Sequence, residues 1–141
     1  MEARWQPRTG SPSEGASQRR TPVVIAHIVL FTPKSALTDA ERRGLADALI
    51  HALREIPSIR RARVGRRVRH GRAYEALMRA HYEYATLLEF DDVAGLKAYL
   101  EHPAHDALGA RFFAAFEEAL MYDFDLKEGA EGVAAMWTAA D

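Results

Sequence analysis

The chain has 141 residues, 48% of them hydrophobic and 28% charged, enough for one core and hardly two, so a single domain is expected. A formal net charge of -1 argues against a protein that works by neutralising phosphates, and no nucleic-acid partner is expected. The chain holds no cysteine, which excludes a disulfide framework, a thiolate metal site and a thiol nucleophile, and makes the cytoplasm the natural location.

Residues 1–21 are rich in Ser, Gly, Pro and Arg, with Trp5 their single large apolar side chain, and are expected to form a disordered N-terminal tail. They contain no basic start followed by an apolar run, so no secretory signal is read there. The apolar stretch Val23 to Phe31 is too short to span a bilayer and has His27 inside it, so no membrane partner is expected. With Val, Ile, Leu and Phe at odd and even positions alike, it reads as a central strand covered on both faces. Thr38-Asp39-Ala40-Glu41 has the spacing of a capping box, and Leu45, Ala48, Leu49, Ala52, Leu53 and Ile56 follow at helical spacing until Pro57 stops the run.

Arg60 to Arg69 suggests a weaker strand with a solvated outer face at the edge of a sheet. The seven arginines from Arg60 to Arg72 are read either as a charged edge that resists aggregation or as an anion or RNA surface, the charged edge being favoured. His81 to Phe90 alternates, with Tyr82, Tyr84, Thr86, Leu88 and Phe90 on one face, and forms a third strand. Asp91 or Asp92 caps a short helix carrying Val93, Leu96, Tyr99 and Leu100, which ends near His102-Pro103. Pro103 suits the first turn of a further helix, whose core spacing runs through Leu108, Phe112, Phe113, Ala115 and Phe116 to Leu120. Met121 to Leu126 then alternates Tyr122, Phe124 and Leu126 with Asp123 and Asp125, a fourth strand with one wet face. Residues 128–141, rich in Ala and Gly, are expected to form a flexible C-terminal tail whose Val133, Met136 and Trp137 dock loosely on the domain if at all.

The order β-α-β-β-α-β with right-handed crossovers predicts an α+β fold, a ferredoxin-like protomer with both helical layers on one side of a four-stranded antiparallel sheet. The other face of the sheet is left bare. Soluble monomers seldom expose so large an apolar patch, so a second copy is expected to cover it and form a homodimer.

The residues that carry possible chemistry gather where one helix ends and the next begins. Tyr99 stands one turn before His102, and His105 lies in the first turn after Pro103. Partial positive charge at a helix amino end disfavours protonated imidazole, which would leave His105 neutral and able to accept a proton, while a nearby phenol can donate one. The bland reading of both residues is structural. His27 either lines the same cavity or is a core histidine bonded to a carbonyl; His51, His70 and His81 read as surface residues. No His-x-x-x-His spacing is present, the proline between His102 and His105 argues against a shared metal, and glycine-rich phosphate loops and a Gly-x-Ser-x-Gly turn are missing, so no metal and no cofactor are expected.

Several strings taken together resemble the stress-responsive dimeric α/β-barrel (Dabb) family: His27-Ile28-Val29-Leu30-Phe31, Glu89-Phe90-Asp91-Asp92, Tyr99-Leu100-Glu101-His102-Pro103-Ala104-His105, and Tyr122-Asp123-Phe124. The likeness covers Val23 to Leu126, and sets a Dabb domain over residues 22–127. It implies a ferredoxin-like protomer whose sheet pairs with that of a second copy to close a dimeric barrel. One member, a plant olivetolic acid cyclase, closes a linear polyketide by aldol condensation without metal or cofactor. By that resemblance Tyr99 and His105 correspond to its tyrosine and histidine, His27 to its strand histidine and Gly109 to its pocket glycine, with Val29, Thr86, Leu100 and Leu108 as further substrate-binding positions. The expected function is then a ligand binder or cofactor-independent cyclase or lyase acting on a small, largely apolar carbonyl compound. Two alternatives stand beside it: a non-catalytic stress-responsive structural dimer, and a monooxygenase-like dimeric barrel suggested by fold analogy alone.

Overall fold

The computed structural model describes residues 24–138, so the tail read over residues 1–21 lies outside the described residues. Strand β1 (Val24–Pro33) is followed by helix α1 (Asp39–Glu55), strands β2 (Arg61–Arg66) and β3 (Tyr84–Phe90), helices α2 (Val93–Glu101) and α3 (Pro103–Ala115), strand β4 (Phe116–Leu126) and a short helix α4 (Gly129–Ala135). The four strands form one antiparallel sheet in the order β2-β3-β1-β4, the ferredoxin-like arrangement, with β1 central as its unbroken apolar run requires.

Local chemistry sets the helix ends. The Thr38 side chain accepts from the Glu41 amide at 3.1 Å and the Glu41 carboxylate accepts from the Thr38 amide at 2.8 Å, a complete capping box. Asp92, rather than Asp91, caps α2 by accepting from the Gly95 amide at 2.7 Å. Asp91 instead pairs with Arg60. His102 ends α2 and caps α3, its Nδ1 accepting from the Ala104 amide at 3.0 Å, with Pro103 at the first helical position.

Two boundaries differ from the sequence reading. The helix expected to run through Phe116, Ala119 and Leu120 stops at Ala115, and β4 begins at once with Phe116. The cause is β1: it continues to Pro33, and β4 pairs with it from Leu126 back to Phe116 through an irregularity at Thr32/Pro33, so backbone pairing outweighs the helical apolar spacing of those residues. Strand β3 starts at Tyr84 instead of His81. Here the Thr32 hydroxyl accepts from the Glu83 amide at 3.2 Å and donates to the His81 carbonyl, so a side chain takes the place of strand partners. Residues 129–135, within the segment read as a flexible tail, are helical in α4, which buries none of its side chains.

In an antiparallel ladder, residues directly opposite share a face. His27 stands between Leu88 on β3 and Asp123 on β4, so these three point to the helical side with Ile25, Val29, Thr86 and Phe90. There they meet Ala52 of α1 and Ile56 just beyond its end, Leu96 and Tyr99 of α2, and Ala104 and Leu108 of α3. The opposite face carries Ala26, Ile28, Leu87, Leu120, Tyr122 and Phe124 with no helix over it, and Tyr122 and Phe124 are 56% and 49% exposed.

Candidate functional site

A cavity of about 200 Å³ opens between the helical face of the sheet and helices α1, α2 and α3. All eight residues named from sequence line it: His27 and Val29 from β1, Thr86 from β3, Tyr99 and Leu100 from α2, and His105, Leu108 and Gly109 from α3. Its volume lies below the ~300–1,000 Å³ usual for drug-sized ligands, so it suits a smaller molecule.

The junction of α2 and α3 brings the two titratable rings together. Tyr99 and His105 meet edge to face, their centroids 4.7 Å apart. Phe90 packs on the other side of Tyr99 at 5.4 Å and His27 stands 5.7 Å from it. Burial pushes the Tyr99 phenol up to about 12, so it stays protonated through the physiological range. Its hydroxyl has no hydrogen-bond partner among the described residues. His105 moves the other way, below the ordinary imidazole value: burial is the main cause and the neighbouring His27 adds to it, against opposing effects from Asp106 and a hydrogen bond to the Leu100 carbonyl. A neutral imidazole keeps one ring nitrogen free of hydrogen and able to accept a proton.

Behind this pair, His27 Nδ1 donates to Asp123 Oδ1 at 2.7 Å. His27 is 8% exposed, so of the two readings made from sequence it lines the cavity, and its partner is a carboxylate rather than a backbone carbonyl. Asp123, read as part of a wet face, sits on the helical side of β4, with its side chain 46% exposed. Sequence reasoning quoted Asp123 only within a family string; what pairs it with His27 is the β1–β4 register, which periodicity does not specify.

Phe31, Leu45, Leu49, Leu88, Phe112, Phe113 and Met121 complete the wall and were not singled out as site residues, because at helical or strand spacing they look like any core position. His51, His70 and His81 are exposed, as read. His102 spends its Nδ1 on the α3 cap, and among the described residues no group of three or more His, Cys, Asp or Glu side chains is placed to hold a metal ion. No helix among them is long and apolar enough to cross a membrane.

A ferredoxin-like α+β domain with one bare sheet face and an apolar cavity under its helices is the class that fold and site define together. Residues 25–126 match the stress responsive A/B barrel domain, and the chain belongs to that family, Dabb. Among solved structures, the chain is similar to a dimeric ferredoxin-like protein of unknown function from Thermobifida fusca, at 23% identity over 77% of this chain and 96% of that one, with a TM-score of 0.59. A hydroxynitrile lyase from Passiflora edulis is 22% identical over 77% of this chain and 97% of its own, with a TM-score of 0.65. A Dabb family protein from Mesorhizobium loti is 24% identical over 76% and 99%, with a TM-score of 0.58. At these identities the likeness is one of fold. Among curated protein sequences none matches the chain.

Proposed function

We propose that this Dabb protein is a cofactor-independent enzyme, and at minimum a binder, for a small and largely apolar carbonyl compound, making or breaking a carbon–carbon bond beside the carbonyl. The observation that carries this reading is the contact between a neutral His105 and a protonated Tyr99 in a cavity whose other walls are mostly apolar. His105 takes the proton from the carbon next to the carbonyl, and the electron pair left behind becomes an enolate. When that enolate attacks a second carbonyl, the new alkoxide takes the Tyr99 proton. The imidazolium then returns its proton to the phenolate, and both residues are restored. Run backwards, the same transfers cleave the bond.

The cavity volume favours short substrates over long polyketide chains, and the hydroxynitrile lyase among the fold relatives names a small-molecule lyase on this scaffold. We place the protein in the cytoplasm and its bare sheet face against a second copy, in keeping with relatives described as dimeric. Purified protein incubated with short polyketide thioesters and with small aldehyde cyanohydrins tests the activity. Cyclised or cleaved product formed by the wild type and not by His105→Ala supports it. Equal rates with and without protein sink it and leave a non-catalytic dimer.

A further inference from the structure

A second cavity, of about 480 Å³, lies on the bare face of the sheet, at the end where residues 78–82 of the β2–β3 connection border it. Its floor is Leu30, Ala85 and Leu120, which stand side by side on β1, β3 and β4. Each is the sequence neighbour of a residue that lines the first cavity: Val29, Thr86 and Met121. Alternate strand residues point to opposite faces, so the two cavities lie back to back through the sheet. The second is built by one chain alone, and its volume falls within the ~300–1,000 Å³ usual for ligand pockets.

Three arginines, Arg66, Arg67 and Arg79, line this cavity, and among the described residues no acid does. Arg66 meets the Tyr84 ring 5.9 Å from its centroid, and Arg79 forms no ion pair among the described residues. Arg67 donates to His81 Nδ1 at 2.7 Å, and Arg69 reaches the same nitrogen at 3.0 Å. A ring nitrogen that accepts carries no hydrogen, so His81 is neutral in this contact and offsets neither positive charge. Glu75 is near enough to feel the charge of Arg67, yet its carboxylate accepts from the His70 and Gly71 amides. Glu83, whose carbonyl accepts from the Arg67 amide, neither lines the cavity nor forms an ion pair among the described residues. Like charges around an apolar hollow focus their field into it and draw in an anion. The planar fork of arginine matches a carboxylate through two parallel hydrogen bonds. The floor and Met78 offer hydrocarbon contact, which suits an apolar body better than a sugar or a nucleotide. We propose that this cavity is a second ligand site, which takes a small apolar carboxylic acid with its carboxylate on Arg67 and Arg79 and its hydrocarbon body over Leu30, Ala85 and Leu120.

Titration of the full chain with octanoate, followed by calorimetry and by two-dimensional amide NMR, tests the site. Octanoate should bind with shifts centred on Leu30, Ala85 and Leu120, and octanol, which has the same tail without the charge, should bind about tenfold more weakly. Arg67→Gln with Arg79→Gln should lose a similar factor for octanoate and leave octanol unchanged, with circular dichroism reporting the fold. Arg79→Gln alone, at an exposed position, should lose part of that factor and keeps the test open if the double variant does not fold. No binding of octanoate, or octanol binding as tightly, overturns the carboxylate site. Shifts centred on Tyr99 and His105 place the acid in the first cavity and overturn it too. Inorganic phosphate or a short RNA oligonucleotide binding more tightly than octanoate overturns it in favour of a plain anion surface.

Discussion

Asp123 Oδ1 accepts a hydrogen bond from His27 Nδ1 at 2.7 Å, joining two central residues of adjacent strands that lie 96 apart in sequence. A carboxylate only accepts, so the bond fixes which ring nitrogen of His27 carries hydrogen and holds the imidazole against Tyr99, 5.7 Å away. The resulting order, Asp123 to His27 to Tyr99 to His105, sets a positioning carboxylate behind the proton-transfer pair. Asp123→Ala should leave the fold intact, since the side chain is 46% exposed, yet lower the rate about tenfold, the equivalent of one ~1.4 kcal/mol interaction. Thermal unfolding together with kcat and KM checks this. A rate equal to wild type would mean that the bond serves only the strand pairing.

The pH profile should follow the two cavity residues. Turnover needs neutral His105 and protonated Tyr99, so it should rise with pH through a midpoint below the ordinary imidazole value of 6.5 and persist until the phenol ionises near pH 12. Stability should respond as well. His105 binds its proton less readily in the folded chain than in the unfolded one, so the stability present above pH 6.5 is lost as pH falls through its lowered folded value. Tyr99 holds its proton more tightly when folded, so stability present below pH 10.0 is lost as pH rises toward about 12. Unfolding free energies across both windows, for wild type and for Tyr99→Phe and His105→Gln, check each limb. A limb that survives its own substitution is not caused by that residue.

How much of this was legible beforehand depends on whether the signal is local. The Thr38–Glu41 capping box, Pro103 at the start of α3 and the alternation of Thr86, Leu88 and Phe90 are local signals: both helices start where they put them, and β3 runs to Phe90 although it begins at Tyr84. The end of α3 was not legible, because Phe116 and Leu120 satisfy a helical period and a strand equally well until β1 extends to Pro33 and claims them. The cavity residues were named through a family resemblance; spacing alone placed Tyr99 and His105 near each other and left His27 open. Asp123 as the partner of His27 needed the strand register, a long-range property that hydrophobic patterning leaves unset.

Core and site share residues, so one substitution should disturb both. Phe90 is 1% exposed, sits in the core beside Leu88, and packs its ring on Tyr99 at 5.4 Å. Phe90→Ala should cost ~3–5 kcal/mol of stability through lost burial and the cavity left behind, and Leu88→Ala ~2–5 kcal/mol by the same route. Denaturant titration gives both numbers. Phe90→Leu, which keeps most of the volume, should retain the fold while loosening Tyr99, so turnover should fall further than stability does. Parallel losses would show that Tyr99 does not depend on Phe90 for its position.

Gly109 separates packing from function. It lies in the middle of α3, where glycine disfavours a helix, and a Cβ built there would meet nothing within 4 Å. Packing therefore gives no reason for a glycine. The same position lines the cavity, into whose open space a methyl group would project. Gly109→Ala should stabilise the fold by roughly 0.8–1.0 kcal/mol, the difference in helix propensity, and raise Tm by a few degrees. It should also narrow the cavity and weaken ligand binding, with larger ligands losing more than small ones. Calorimetric unfolding and a binding series of aldehydes of increasing length measure the two effects on one sample. A more stable variant with unchanged binding would place the ligand elsewhere in the cavity, away from the middle of α3.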